Sequence, residues 1–382
     1  SGQRGAALAQ YETCRQALAE ELGVEPGPET ARLYEEIREG CLAPAAPASP
    51  AGRKARPPTF LADETAQAIR PLFVAREREL AWLDERLGSA LAGQANVLFV
   101  TGGPGRGKTA LLDEFARRTM AVHEDLLVAA GTCNAFSGVG DPYLPFREVL
   151  AMLTGDVEAA WAAGAISRDH ALRLWAALPL TCQALLDHGP HVIPALIPAP
   201  PLLDRATAAA PDDASWLPQL RDRLERRRAS AESLEESDLF QQVTNLLRAL
   251  AKEQPLLLIL DDLQWADTAS TGLLFHLGRR LEGSRMLIAG AYRPEEVSLG
   301  RDGERHPLAE ALAEFKRAYG DVWLDLAEIQ EPEGRHFVEA LLETEPNRLG
   351  EGFRRALFAH AGGHPLFTVE LLRDIQERGD LV

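Results

Sequence analysis

The sequence predicts an α/β fold in which a parallel sheet is flanked by helices on both faces. Three observations carry that prediction. Apolar runs of strand length at residues 96–100, 125–131, 256–260, 285–292 and 322–326 are separated by segments with helical periodicity. The runs at 96–100, from Val97 on, and 256–260 are continuously apolar, as strands covered on both faces are. A Gly-rich loop and a helical pattern (109–118) follow the first run directly, which is the β-loop-α step of such sheets.

Taken in order, residues 1–40 read as a short helical hairpin. Ala7, Leu8, Tyr11, Cys14, Leu18 and Leu22 recur at helical spacing, Gly23 stops the first helix, and the turn at Pro26 and Pro28 leads to a second with Leu33, Tyr34 and Ile37 apolar. Such a hairpin is the unit of a helical repeat and cannot bury its apolar face alone. Its partners are expected upstream, and the chain reads as a fragment of a longer polypeptide. Residues 41–70 are Ala/Pro-rich at their start and read as a linker. The α/β core is expected over 71–330. Residues 142–232 interrupt it with helical patterns broken at Pro190, Pro194, Pro198, Pro200 and Pro201, and read as a helical insertion. Arg226, Arg227 and Arg228 there read as a solvated helix face among glutamates. Ser233 and Glu236 have capping-box spacing before a helix expected to bury Phe240, Val243, Leu246, Leu247 and Leu250.

Composition narrows the function. Hydrophobic residues make up 46% and charged residues 25%, a globular profile. The formal net charge of −17 repels a phosphate backbone, so direct nucleic-acid binding by this chain is the weakest reading. Lysine occurs only at Lys54, Lys108, Lys252 and Lys316. Cys14, Cys41, Cys133 and Cys182 are widely spaced, without a metal-ligand pattern, and read as reduced thiols of a cytoplasmic protein. No apolar run of about 18 residues, the length that spans a bilayer, is present.

The chemistry sits in three places. Gly102, Gly103, Pro104, Gly105, Arg106, Gly107, Lys108 and Thr109 match the phosphate-loop pattern GxxxxGK[ST] without a mismatch. The glycines let main-chain N–H groups turn inward on an anion, the following helix directs its positive end there, and Lys108 reaches the β- and γ-phosphates. This pattern, between a buried strand and a helix, makes the expected fold a P-loop NTPase. The run 256–260 ends in Asp261 and Asp262, the Walker B pattern: Asp261 is expected on Mg²⁺ with Thr109, and Asp262 at the attacking water. An Asp in the second position reaches less far than a Glu and favours binding over fast turnover. Arg293 ends the fourth strand, where it either meets the γ-phosphate or pairs with Glu295 or Glu296 at the surface.

Several segments together resemble the STAND class of AAA-related signalling ATPases, in the version found in large bacterial regulators. They are Phe73, Val74, Ala75, Arg76 and Glu77; residues 102–109; Pro142, Tyr143, Leu144, Pro145 and Phe146; Asp261 to Asp267 (DDLQWAD); Ala291, Tyr292 and Arg293; and Gly362 to Phe367 (GGHPLF). Order and spacing agree over residues 71–382, with Ala75 where the family usually has Gly. The resemblance implies a C-terminal helical lid starting at 331–382, with Gly363, His364 and Pro365 as its GxP element and Pro365 packed on adenine. It implies an adenine pocket lined by Val74 and Arg76, and Arg293 as sensor. The expected nucleotide-binding set is Val74, Arg76, Gly102, Gly103, Pro104, Gly105, Arg106, Gly107, Lys108, Thr109, Ala110 and Pro365; the metal set is Thr109 and Asp261; the catalytic set is Asp262 and Arg293. The hairpin of residues 1–40, with its LGVEP run, resembles the end of a TPR-like bacterial transcriptional activator domain. The function implied is a regulatory ATPase switch using ATP/ADP and Mg²⁺. Its inducer or protein partner would bind outside this chain, an ATP-dependent oligomer is compatible with it, and DNA binding is left to the full-length protein. A P-loop small-molecule kinase and a scaffold with a vestigial ATP site are the alternatives.

Overall fold

Alternate residues of each strand face opposite sides of one sheet, and both sets are apolar. The computed structural model describes residues 58–61, 73–74, 76–135, 142–211, 214–228, 235–300, 305–326, 331–343 and 349–378. The chain divides into two compact units, 1–54 and 55–382, and the expected helical hairpin of the first lies outside the described residues. In the second unit β1 (Asn96–Thr101), β2 (Leu127–Thr132), β3 (Leu256–Asp261), β4 (Met286–Tyr292) and β5 (Trp323–Asp325) form a sheet in the order β2-β3-β4-β1-β5. All pairings are parallel; Val97 opposes Ile288 and Leu258 opposes Ile288 from the other side.

One face of the sheet carries Leu98, Val100, Val128, Leu257, Ile259, Leu287 and Ala289. Against it pack α1 (Glu77–Leu91), through Leu80, Leu83, Leu87 and Ala90, and α2 (Lys108–Val122), through Leu111, Leu112 and Phe115. The other face carries Val97, Phe99, Leu127, Leu256, Leu258, Leu260 and Ile288. It is covered by helices that lie between β2 and β3 and after β3. These are α3 (Leu144–Leu153), α4 (Glu158–Ala162), α5 (Arg168–His188), α6 (Val192–Leu196), α7 (Ala199–Ala209), α8 (Trp216–Arg228), α9 (Glu236–Glu253), α10 (Thr268–Gly278), α11 (Pro294–Leu299) and α12 (Pro307–Tyr319). Each fully buried Leu or Phe on these faces contributes about 1.5–3 kcal/mol.

β2 is an edge strand, and α3 closes it. The outward N–H of Ala130 donates to Met152 Sδ at 3.2 Å, and that of Thr132 to Glu148 Oε2 at 2.7 Å. These side chains occupy the row of donors that would otherwise template another strand. Gly131 makes the approach feasible, since a Cβ there would lie 1.9 Å from Pro145 O.

Three details differ from the sequence-based expectation. Residues 58–61, within the expected linker, form a 3-10 turn whose Leu61 is fully buried and whose carbonyl accepts from Arg168 Nε at 3.0 Å. Helix α9 begins at Glu236 with Glu235 as its N-cap, so Glu236 holds the first helical position instead of the third that a capping box needs; Ser233 lies outside the described residues. Phe240 is half-buried, because its ring meets Tyr143 and His276 at the rim and Leu239 takes the inward position. Arg226 forms an exposed ion pair with Asp222, as a solvated face does.

Beyond β5, α13 (Glu331–Leu342), α14 (Glu351–Ala361) and α15 (Pro365–Glu377) share a small core of Val338, Leu342, Leu357 and Leu372. Gly363, at φ 69°, turns the chain between α14 and α15, and a Cβ on it would lie 2.6 Å from Gly334 Cα. Among the described residues no helix is long and apolar enough to cross a membrane.

Candidate functional site

The carboxyl end of β1 runs into residues 102–107 and then into α2. Gly102 (φ 149°), Gly105 (φ 70°) and Gly107 (φ 82°) take backbone angles that L side chains rarely adopt. Gly107 is the N-cap of α2 and offers no side-chain cap, so the first N–H groups of that helix are left for another acceptor. Lys108 is 6% exposed and donates from Nζ to Gly102 O at 2.9 Å and Gly103 O at 3.0 Å. Burial pushes its pKa down, and the nearby Arg293 cation adds to this. Two cations brought together at an uncapped helix start are the electrostatic complement of an anion.

The carboxyl end of β3 lies beside this loop. Thr109 Oγ1 donates to Asp261 Oδ2 at 2.5 Å, which joins the two predicted metal ligands across the chain. Asp261 is 7% exposed; burial raises its pKa, opposed by the hydrogen bonds from Thr109 and from the Asp262 N–H at 2.7 Å. Asp262 takes a left-handed conformation (φ 52°, ψ 40°). Leu263 then turns back onto the sheet and fills space left by Gly290, where a Cβ would lie 2.7 Å from Leu263 Cδ1. Gln264 is buried and bonds to both Asp262 and Arg293. Asp267 caps α10 by accepting from Ser270 N at 2.8 Å. Of the two alternatives for Arg293, the structure shows the pairing with Glu296, Nη1 to Oε1 at 2.7 Å; Nη2 stands 3.9 Å from Asp262 Oδ1.

The remaining predicted residues fall on two sides of the loop. Arg76 is left-handed (φ 80°), pairs with Glu79 at 2.6 Å and donates from Nη2 to Arg106 O at 3.4 Å. Val74 is half-buried nearby in sequence, and Ala75 lies outside the described residues. The N-terminus of α15 stands on the loop's tip: Leu366 N donates to Gly105 O at 3.3 Å, and a Cβ on Gly105 would meet Leu366 Cβ at 2.7 Å and His364 Cε1 at 2.8 Å. Burial and then the Arg106 cation push the His364 pKa below its ordinary 6.5. Pro365 opens α15, half-buried.

Among the described residues no group of three or more His, Cys, Asp or Glu side chains is arranged to hold a metal ion. The pair Thr109 and Asp261 nonetheless suits Mg²⁺, which is bound by one or two protein oxygens plus waters and substrate phosphates instead of an all-protein cage. Sequence reasoning missed Gln264 and Glu148. Gln264 sits inside a motif whose carboxylates drew attention first. The only trace of its role is a polar residue two places after Asp262, on a segment that must fold back into the core.

A glycine loop of this geometry between β1 and α2, on a parallel sheet of this order, is that of a P-loop NTPase. The chain belongs to the AAA ATPase domain family, whose family model matches residues 72–289. Residues 1–38 match the bacterial transcriptional activator domain. No curated protein matches the chain. Similar solved structures include the ORC1 protein of Aeropyrum pernix, solved in complex with DNA (18% identity, TM-score 0.40, covering 84% of this chain and 64% of that one). The Walker-type ATPase of Pyrococcus abyssi is 13% identical with a TM-score of 0.40, over 82% of this chain and 71% of its own. Cdc6p of Pyrobaculum aerophilum is 12% identical with a TM-score of 0.43, over 86% and 68%. The chain thus spans less than two thirds of the ORC1 protein it matches.

Proposed function

We propose that this ATP-binding domain is the switch of a larger bacterial regulator of the STAND class, reset by slow hydrolysis. The observation that carries this reading is the contact of α15 with the loop tip, Leu366 N to Gly105 O at 3.3 Å. A lid helix resting on the segment that grips phosphate shifts when that segment changes its occupant, so nucleotide state and lid position are coupled. In this reading Lys108 and the main-chain N–H groups of residues 102–110, Pro104 excepted, hold the phosphates, and Val74, Arg76 and Pro365 flank the base. Thr109 and Asp261 hold Mg²⁺, which neutralises charge on the β- and γ-phosphates. Asp262 polarises a water whose oxygen attacks the γ-phosphorus as the bond to the β-phosphate oxygen breaks, and Arg293 reports the loss of that phosphate. The short reach of Asp262 suits slow turnover. The match of residues 1–38 to a transcriptional activator domain supports a regulator, in the cytoplasm, whose inducer or protein partner, oligomerisation and DNA contacts belong to the full-length protein. The charge of −17 runs against a DNA surface on this chain itself.

The test is titration of ATP and ADP with Mg²⁺ into wild type and Lys108→Ala, with phosphate release followed in parallel. Wild type is expected to bind both and to release phosphate slowly, and Lys108→Ala to bind neither. Unchanged affinity in Lys108→Ala overturns the site assignment, and rapid phosphoryl transfer to a small-molecule acceptor overturns the switch.

A further inference from the structure

Gln264 is 1% exposed, and the proposed reaction gives it no part. A buried side-chain amide persists when its polar atoms are satisfied. Gln264 Nε2 donates to Asp262 Oδ1 at 2.7 Å, and its Oε1 accepts from the main-chain N–H of Arg293 at 3.1 Å. Arg293 N can only donate and an ionised carboxylate can only accept, so the partners define which end of the amide is which. One planar group therefore spans the carboxyl ends of β3 and β4. Gln264 is itself held from behind. His306 Nε2 bonds to Gln264 O at 2.9 Å while His306 Nδ1 accepts from Leu308 N at 3.1 Å, which places the ring proton on Nε2.

Asp262 needs such a partner. Its left-handed backbone is one that Asp adopts more readily than most non-glycine residues, when its short side chain finds a local hydrogen bond. Arg293 does not do this directly, since its Nη2 stands 3.9 Å from Asp262 Oδ1, beyond hydrogen-bond length, and its Nη1 is held by Glu296.

We infer that Gln264 is a positioning residue: it aims the Asp262 carboxylate and ties it to the Arg293 main chain, so that the acid and the sensor move as one unit. This rests on the reading of Asp262 as the group that polarises the water.

Gln264→Glu tests it, because the variant keeps the shape and the acceptor for Arg293 N but sets an oxygen against Asp262 Oδ1 where a donor stood. Gln264→Met keeps the volume and makes neither bond. The double variant Asp262→Asn/Gln264→Glu reverses donor and acceptor across the same pair. kcat, KM, the equilibrium affinity for a fluorescent ATP analogue and Tm are measured on each. Gln264→Glu and Gln264→Met are expected to lose on the order of 100-fold in kcat, the scale of a misplaced general base, with KM and analogue affinity within about threefold of wild type. The double variant is expected to regain the Tm lost by Gln264→Glu while its kcat stays low. A hydrolysing wild type with an equally active Gln264→Glu overturns the inference alone, as does a kcat loss matched by an equal loss of affinity. A double variant that regains no Tm removes the hydrogen bond from the account and overturns it too. A wild type that binds ATP but releases no phosphate overturns the reading of Asp262 and this inference together.

Discussion

Gly131→Ala probes how the edge of the sheet is closed. Gly131 does not have a positive φ, so alanine fits the backbone and the variant isolates a steric effect. The new Cβ would lie 1.9 Å from Pro145 O, 2.7 Å from its carbonyl carbon and 2.8 Å from its Cα, whereas real Cβ atoms essentially never come within 3.0 Å. These are main-chain atoms of α3, so the helix must retreat by about 1 Å, a gap that forfeits a quarter to a half of the dispersion well on its lining. That lining includes Phe146, Val149, Leu150 and Leu153, all 1% exposed or less. Overpacking costs about 1–3 kcal/mol. Loss of the Thr132 to Glu148 bond, whose acceptor is charged, adds about 1.5–3 kcal/mol. The stiffer unfolded chain returns about 0.4–1 kcal/mol. The net is about 2–5 kcal/mol, which lowers Tm by at least about 3 °C in a domain this large. Thermal unfolding followed by circular dichroism reads it, and Gly131→Ala combined with Glu148→Ala should lose less than the sum of the two. A fall of less than about 2 °C, or strict additivity, would refute the account of α3 as a seal on β2.

The remaining expectations concern the site and its pH response. Thr109→Ala removes the donor to Asp261 Oδ2, so calorimetric ATP affinity should fall about tenfold or more with Mg²⁺ present and hardly at all in EDTA, with Thr109→Ser restoring it; an equal loss in both buffers would contradict the metal role. His170 is buried with Nε2 on Val128 O at 2.8 Å, and burial holds its folded pKa below 6.5. Between the two values the unfolded chain binds the extra proton, so this stability is complete above about pH 6.5 and is lost as pH falls through that value toward the folded pKa. The fall in Tm from pH 7 to pH 5.5 should therefore be smaller in His170→Gln than in wild type, and an unchanged slope would exclude His170 as its source. Hydrogen exchange should show nucleotide-dependent protection at residues 362–369 and little change at 256–267; the reverse pattern would refute the lid as the moving part.

Much of the fold was legible because a parallel strand covered on both faces must be apolar along its buried length, and residues 97–100 and 256–260 are. The ends were less so. β2 starts at Leu127 because Leu126 N still turns back to His123 O, a local bond that hydrophobicity does not record. Thr109 and Asp261 could be singled out by motif, but their bond joins positions 152 apart in sequence and becomes visible only when the strand order is known. The same holds for Glu148 and Met152. That β2 is an edge depends on the order of crossovers, and without it a Glu on α3 reads as solvent-facing. The capping box failed because the helix starts at Glu236, two positions later than that spacing requires, and its N-cap Glu235 makes no side-chain cap bond.

The site joins a stiff part to a soft one, and that division shapes how a switch here would work. Leu263 and Phe99 both crowd the space over Gly290, and the Phe99 ring stacks on Trp323 at 5.7 Å and meets Tyr292 at 5.9 Å. Tyr292 in turn accepts from Trp323 Nε1 at 2.9 Å. The segment carrying Asp262 and Gln264 thus packs against an aromatic layer spanning β1, β4 and β5, where a shift of an ångström is costly. The lid has no such anchor at the loop. It meets the loop through the long Leu366 N to Gly105 O bond and a hydrogen bond between His364 and the Pro104 main chain, and Leu366 and Phe367 beside them are 44% and 60% exposed. A change in the occupant of the glycine loop meets rigid carboxylates on one side and a lightly held helix on the other. In the proposed switch, displacement would follow the weaker contact, so α15 would move with nucleotide state while the segment of Asp261 and Asp262 would stay in place.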